Sequence, residues 1–171
     1  MQFATKARAL RLAGALVAVL AIAACAKNPT DPASLAGAGA GYAATAGNAL
    51  GSQQDFVVNV GDRVFFESDS VELTPTAQAT LDKQARWLQQ YNHYAFTIEG
   101  HADERGTREY NFALGSQRAE ATKNYLVARG ISPARMHTVS YGKERPVAVC
   151  NDISCWSQNR RAVTVLGGGQ S

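Results

Sequence analysis

At 171 residues, 46% hydrophobic and 18% charged, the chain has enough apolar content to bury one domain-sized core, which excludes a disordered polyelectrolyte. Its formal charge of +3 says little, because Lys6, Arg8 and Arg11 account for the whole excess and the rest of the chain holds 14 basic and 14 acidic residues. Such a balance gives no support to nucleic-acid binding.

Those three cations lie in residues 1–11, and an uncharged run from Leu12 to Ala24 follows, rich in Ala, Leu and Val. A charged start, a short apolar middle and small residues at its end make the layout of an export signal. Thirteen residues are too few to cross a bilayer as a helix. The run closes as Ile22-Ala23-Ala24-Cys25, which resembles the lipobox of bacterial lipoproteins, where the Cys becomes the new, lipid-modified N-terminus. Residues 1–24 are therefore expected to be a lipoprotein signal peptide, with Cys25 as the lipidation site. Ala26 follows, where such lipoproteins carry Asp for inner-membrane retention, so the anchor is expected in the outer membrane. An ordinary signal peptide with an incidental Cys is the competing reading, and the place of Cys25 at the end of the run argues against it.

Residues 25–54 form the lipidated N-terminus and a linker. Pro29, Pro32, Gly37, Gly39, Gly41 and Gly47 break any alanine helix, and no face here can be buried. Such a segment reaches on the order of 100 Å when extended and roughly 30 Å as a coil.

Residues 55–171 are expected to form the folded domain. Phe56 to Val60 and Arg63 to Phe66 flank Gly61-Asp62, a pattern compatible with a hairpin. Thr74 caps a helix that has Pro75 at its first position; Ala77, Leu81, Gln84/Ala85, Leu88 and Tyr91 trace its buried stripe. Tyr94 to Ile98 reads as a strand with Phe96 and Ile98 on one face. Leu114, Ala119, Thr122 and Leu126 recur at helical spacing up to Gly130, a left-handed stop. Gly115 within that helix points to close backbone approach. Met136 to Tyr141 and Ala162 to Leu166 read as the last two strands. The order β-α-β-α-β-β predicts an α+β sandwich, with a mixed sheet and both helices on one face.

Cys150 and Cys155 remain once Cys25 is assigned. In an exported domain the pair is expected to form a disulfide, while zinc would need two more ligands that do not adjoin.

The polar stretch from Glu99 to Arg118 sits where a buried strand hands over to a helix, so Asp103 and Arg118 can face one crevice from two elements. Without a ligand the same residues would read as a structural ion pair. Arg105 and Arg108 read as solvated charges or as partners of Glu104 and Glu109. Arg160 and Arg161, beside the last strand, suit bracing of the loop as well as ligand contact.

The runs Gly100-His101-Ala102-Asp103-Glu104-Arg105-Gly106-Thr107, Tyr110-Asn111, Leu114-Gly115 and Arg118-Ala119 resemble the signature of the OmpA-like peptidoglycan-binding domain. The match is to its peptidoglycan-associated lipoprotein branch. It extends to Ser140 to Pro146 and Asn159 to Val163, so it covers roughly the C-terminal two thirds of the chain. The resemblance implies the same fold, no enzymatic activity and no cofactor or metal. It also implies that Asp103 and Arg118 grip the diaminopimelate of the peptidoglycan stem, with Thr107, Asn111 and Leu114 lining the crevice. The family carries an aspartate after its strand-end phenylalanine; here Phe66 is followed by Glu67, which keeps the charge on a longer side chain. The resemblance further implies partnership with TolB and the other Tol proteins in outer-membrane invagination at division. The alternatives are a wall-binding lipoprotein without Tol partners and a periplasmic hydrolase using His101 with Asp103.

Overall fold

A single buried carboxylate sets the start of the domain, whose computed structural model describes residues 49–167. Asp55 accepts from the Gly51 amide at 2.9 Å, Asn59 Nδ2 at 2.8 Å and Trp87 Nε1 at 2.9 Å. The bonds from Asn59, Trp87 and Gly51 hold its carboxyl below the usual range. Capped by Ser52, the chain winds into α1 (Gln53–Asp55) and a π-helical turn over Phe56–Val60. The hairpin across Gly61-Asp62 is therefore not formed. The valines favour a strand by propensity, but the anchoring of Asp55 and the burial of Phe56 against Trp87, ring centroids 4.9 Å apart, outweigh it. The leader, Cys25 and the linker up to residue 48 lie outside the described residues.

The remaining elements are β1 (Arg63–Phe65), α2 (Pro75–Gln90), β2 (Phe96–His101), α3 (Arg108–Ala128), β3 (Met136–Gly142), α4 (Ile153–Asn159) and β4 (Arg161–Leu166). The strands form one mixed sheet in the order β1-β4-β2-β3. β4 pairs antiparallel with both β1 and β2, and β2 pairs parallel with β3 across the α3 crossover. The expected α+β order holds, with α4 as an addition. Asp152 caps that helix by accepting from the Ser154 amide at 2.7 Å.

The core lies on one face of this sheet. Phe96 and Ile98 of β2, Met136 of β3, Ala162 and Leu166 of β4 and Val64 of β1 meet Leu81, Ala85 and Leu88 of α2 and Ala119 and Leu126 of α3. Thr74 accepts from the Ala77 amide at 3.2 Å, ahead of Pro75. Gln84, in the middle of the apolar stripe, is fully buried and doubly used: it donates to Gly61 O at 2.7 Å and accepts from Thr164 Oγ1 at 2.9 Å. Gly130 ends α3 at φ +88°, in the left-handed region. Cys150 and Cys155 are bonded to each other, Cα atoms 5.7 Å apart, at the start of α4.

Two glycines let α3 lie directly on the sheet. A Cβ on Gly100 would sit 1.8 Å from Gly115 O, and one on Gly115 would sit 2.4 Å from Ser140 Oγ. This seating fixes the height of α3, and so of Arg118, over the end of β2. Gly100→Ala should destabilise the domain by about 3 kcal/mol or more, because the obstacle is backbone and α3 must move. Gly115→Ala, where the nearest obstacle is a hydroxyl, should cost less. Urea denaturation followed by circular dichroism orders the two.

Candidate functional site

The site forms where β2 ends and α3 begins. The chain leaves β2 with Ala102 N donating to Gly142 O at 2.8 Å, then turns through Asp103 to Gly106 before Thr107 caps α3. Asn111, buried in the first turn, holds this loop from inside by donating to Arg105 O at 2.6 Å and Thr107 O at 3.0 Å. Lys143 holds it from outside, donating to Gly106 O at 2.6 Å. Asn111, Leu114 and Arg118 follow at helical spacing, so α3 presents all three on one face.

Arg118 is fully buried. Its Nε donates to Ser70 O at 2.9 Å, Nη1 to His101 O at 2.9 Å and Nη2 to Glu67 O at 3.1 Å. Phe66 lies beneath the guanidinium, 5.2 Å to its ring centroid. Burial, then the nearby Arg160, lower its pKa to about 10, so it stays charged at neutral pH. A guanidinium has five N–H donors, and these carbonyls use three.

Asp103 is also buried. Burial alone would raise its carboxyl; hydrogen bonds from Arg105 and Arg160 outweigh that and hold it below the ordinary range. Arg105 Nη2 lies 2.6 Å from Oδ2, and Arg160 Nη1 lies 3.3 Å from the same oxygen. Asp103 and Arg118 thus are not hydrogen-bonded to each other, although the charge of Asp103 favours the charged form of Arg118. Each is held by its own partners, and both line a crevice of about 240 Å³ together with Asn111, Leu114, Ser68, Asp69, Arg105, Gly106 and Tyr110.

Three candidates fall elsewhere. Thr107 uses its hydroxyl to accept from the Tyr110 amide at 3.2 Å, a capping role. Phe66 is the buried floor under Arg118. Glu67 turns its carbonyl to Arg118, and the residue lines a separate groove beside Thr74, Ile153 and Gln158. The carboxylate that lines the crevice from this segment is Asp69, which accepts a short hydrogen bond from Tyr110 Oη and has φ +55°. The signal for it was turn chemistry: Ser68-Asp69-Ser70 between a strand and a helix cap. Arg105 and Arg108 also pair differently from the expectation, with Asp103 and with Glu144, the latter at 3.1 Å. Asp103 offers Arg105 a buried acceptor that is already aligned by its own amide bond to Arg105.

His101 is not part of the crevice. Its ring packs on Tyr141, centroids 5.5 Å apart, and neither ring nitrogen has a hydrogen-bond partner. Glu99 Oε2 lies 3.7 Å from Nε2, too far for a hydrogen bond. Among the described residues no histidine side chain is hydrogen-bonded to a hydroxyl or thiol, so no nucleophile and base are assembled. The disulfide cysteines, with Asp152, are the described residues grouped closely enough to suggest a metal, and their sulfurs are already bonded to each other.

Fold and site define a small α+β binding domain, whose cleft fixes a guanidinium and carboxylates at the mouth of a parallel β-α-β crossover. Residues 65–160 match the OmpA family. The chain is 64% identical to the peptidoglycan-associated lipoprotein of Rhizobium meliloti over 92% of this chain and 88% of that protein. It is 49% identical to the Pseudomonas aeruginosa protein of the same name, over 71% and 73%. The crystal structure of the peptidoglycan-associated lipoprotein from Burkholderia pseudomallei superimposes with a TM-score of 0.60 at 43% identity, covering 62% of this chain and 90% of that one. The C-terminal domain of Helicobacter pylori MotB shares the fold at 19% identity, with a TM-score of 0.59 over 63% and 84%. The chain belongs to the OmpA family, in its peptidoglycan-associated lipoprotein branch.

Burial, then the charges of Arg161 and Arg145, lower the pKa of His101 to about 4. The unfolded chain takes up a proton near pH 6.5 that the folded chain refuses until about pH 4. Stability should therefore be full above pH 6.5 and fall by on the order of 3 kcal/mol as pH drops to about 4. His101→Gln should flatten urea midpoints across that window and leave the loss below it, which belongs to the carboxylates held below their ordinary range, Asp55 and Asp103 among them.

Proposed function

We propose that this protein is an outer-membrane lipoprotein that binds peptidoglycan non-covalently, without turnover, through the crevice between Asp103 and Arg118. The observation that carries the reading is Arg118: a charged guanidinium held at the back of the crevice by three carbonyls, with carboxylates beside it. The free end of a diaminopimelate side chain is a zwitterion. Its carboxylate suits the guanidinium and its ammonium suits Asp103 or Asp69, so one ligand group addresses both signs of charge. Lipid on Cys25 would hold the membrane end, and the segment between it and the start of the domain would span to the wall. The likeness to peptidoglycan-associated lipoproteins supports a place in the Tol system, with TolB as an alternating partner during division. A family member that binds the wall without Tol proteins would share the same crevice. The hydrolase alternative loses its support, because His101 is absent from the crevice lining.

The test is co-sedimentation of the full chain with purified sacculi. Asp103→Asn should weaken binding by more than tenfold, since truncating one member of a desolvated charge pair costs about 2–5 kcal/mol. Arg118→Lys should lose binding comparably and also lower the melting temperature, because one ammonium replaces a fork tied to three carbonyls. Both are measured where circular dichroism shows them folded. Folded variants that pellet like wild type would remove the assignment.

The anchor is tested separately. Cys25→Ser should abolish labelling by radioactive fatty acid and release the chain from the outer-membrane fraction; a variant that still labels and fractionates with that membrane excludes Cys25 as the lipid site.

A further inference from the structure

Asp103 is saturated. A carboxylate offers about four acceptor positions, and Asp103 receives four bonds. Oδ1 accepts from the Arg105 amide at 3.2 Å and Arg105 Nε at 3.1 Å; Oδ2 accepts from Arg105 Nη2 at 2.6 Å and Arg160 Nη1 at 3.3 Å. An ammonium arriving at Asp103 must therefore displace something.

The two arginines differ in what holds them. The Arg160 side chain is 5% exposed and its Nε donates to Phe66 O at 3.0 Å, so it belongs to the fixed wall of the site. The Arg105 side chain is 44% exposed and lies on the rim. Its Nη2 also donates to Ser68 Oγ at 2.8 Å, which joins the two lips of the crevice, and its guanidinium lies 4.3 Å over the Trp156 ring. Trp156 Nε1 in turn donates a short hydrogen bond to Glu104.

We propose that Arg105 is an internal substitute for the ligand's cation, closing the crevice from Asp103 to Ser68 in the free protein and swinging out along Trp156 when a ligand ammonium takes its place. The inference rests on the wall-binding reading above. Trp156 makes the exchange feasible, because stacking over an indole keeps a guanidinium stabilised while its bonds to Asp103 are given up. Glu104, at the edge of the same indole, offers the displaced charge a carboxylate. The Cys150–Cys155 disulfide lies at the first turn of the helix that carries Trp156, tying this platform down.

The device has a consequence for selectivity. A simple amine must displace Arg105 from Asp103, so part of what it gains there is lost to the exchange. A zwitterion that also delivers a carboxylate to Arg118 gains a second charged contact, at a guanidinium whose hydrogen bonds go to carbonyls and to no side-chain carboxylate. The latch therefore favours ligands carrying both charges at one end.

The experiment measures binding of the full chain, in detergent micelles, to sacculi purified from a bacterium with diaminopimelate in its wall. Arg105→Ala should bind about three- to tenfold more tightly than wild type, because removing an internal competitor raises the fraction of open sites. Arg105→Lys, which keeps the charge but not the planar fork, should gain less. In wild type the Trp156 indole N–H resonance, assigned through Trp156→Phe, should shift on addition of soluble muropeptides, and in Arg105→Ala it should stay in place. Binding by Arg105→Ala equal to or weaker than wild type, or a Trp156 resonance that does not respond in wild type, overturns the latch. Arg105→Gln carries the same test if the alanine variant fails to fold. Arg118→Lys runs alongside: if it loses binding while Arg105→Ala does not gain, the latch alone is wrong, and if it pellets like wild type, the wall-binding reading and the latch fall together.

Discussion

The burial of one guanidinium organises this domain. Arg118 comes from α3, but its three carbonyl partners come from the end of β2 and from the segment after β1. A buried cation without partners would cost several kcal/mol, so the three segments are held wherever these bonds can all be made at once. The charge that shapes the crevice is also the charge that faces into it. The same guanidinium ties these segments together and lines the crevice, so the crevice is preorganised around it.

Behind the crevice a second polar layer repeats the device. Asn159 accepts from the Val147 and Ala148 amides and donates to Ala148 O at 2.8 Å. Arg160 ties Phe66 O to Asp103, and Arg161 donates to Asn159 O and Arg145 O, both at 3.2 Å. Three consecutive side chains at the start of β4 thus hold two loops and the wall of the site. Side chains bonded to backbone carbonyls and amides do what regular structure cannot do at a strand end, where the ladder stops.

The helices and the sheet were legible because their apolar periods are local: Leu81, Leu88 and Leu126 announce their faces, and Phe96 and Ile98 alternate with polar neighbours. Phe56 to Val60 was misread because its conformation is set by Asp55 and Trp87, 32 residues apart, a contact that propensity does not see. The crevice was half legible. Asp103 and Arg118 follow from the loop-to-helix pattern, since one strand end and one helix present them, whereas Asn111 and Leu114 are implied by the family resemblance. Asp69 and Ser68 come from a segment on the far side of the crevice; the family resemblance points to Glu67, next to Phe66, whereas the Ser68-Asp69-Ser70 turn brings Asp69 to the lining instead. Arg105 reads in sequence as an ordinary surface charge; the role proposed for it depends on Trp156, on the short helix α4, for which the sequence analysis offers no element.

The position of β4 has a bearing on how the domain comes into being. It is the last strand in the sequence, yet it lies between β1 and β2, with Arg63 paired to Val163 and Phe96 to Leu166. A chain emerging from its N-terminus therefore has β1 and β2 exposed, with no strand between them, until the final segment arrives. Contacts spanning most of the domain's length also slow folding. Such a sheet cannot complete its hydrogen-bond ladder until its last strand is available, so its wiring makes closure of the domain wait for the whole of the chain.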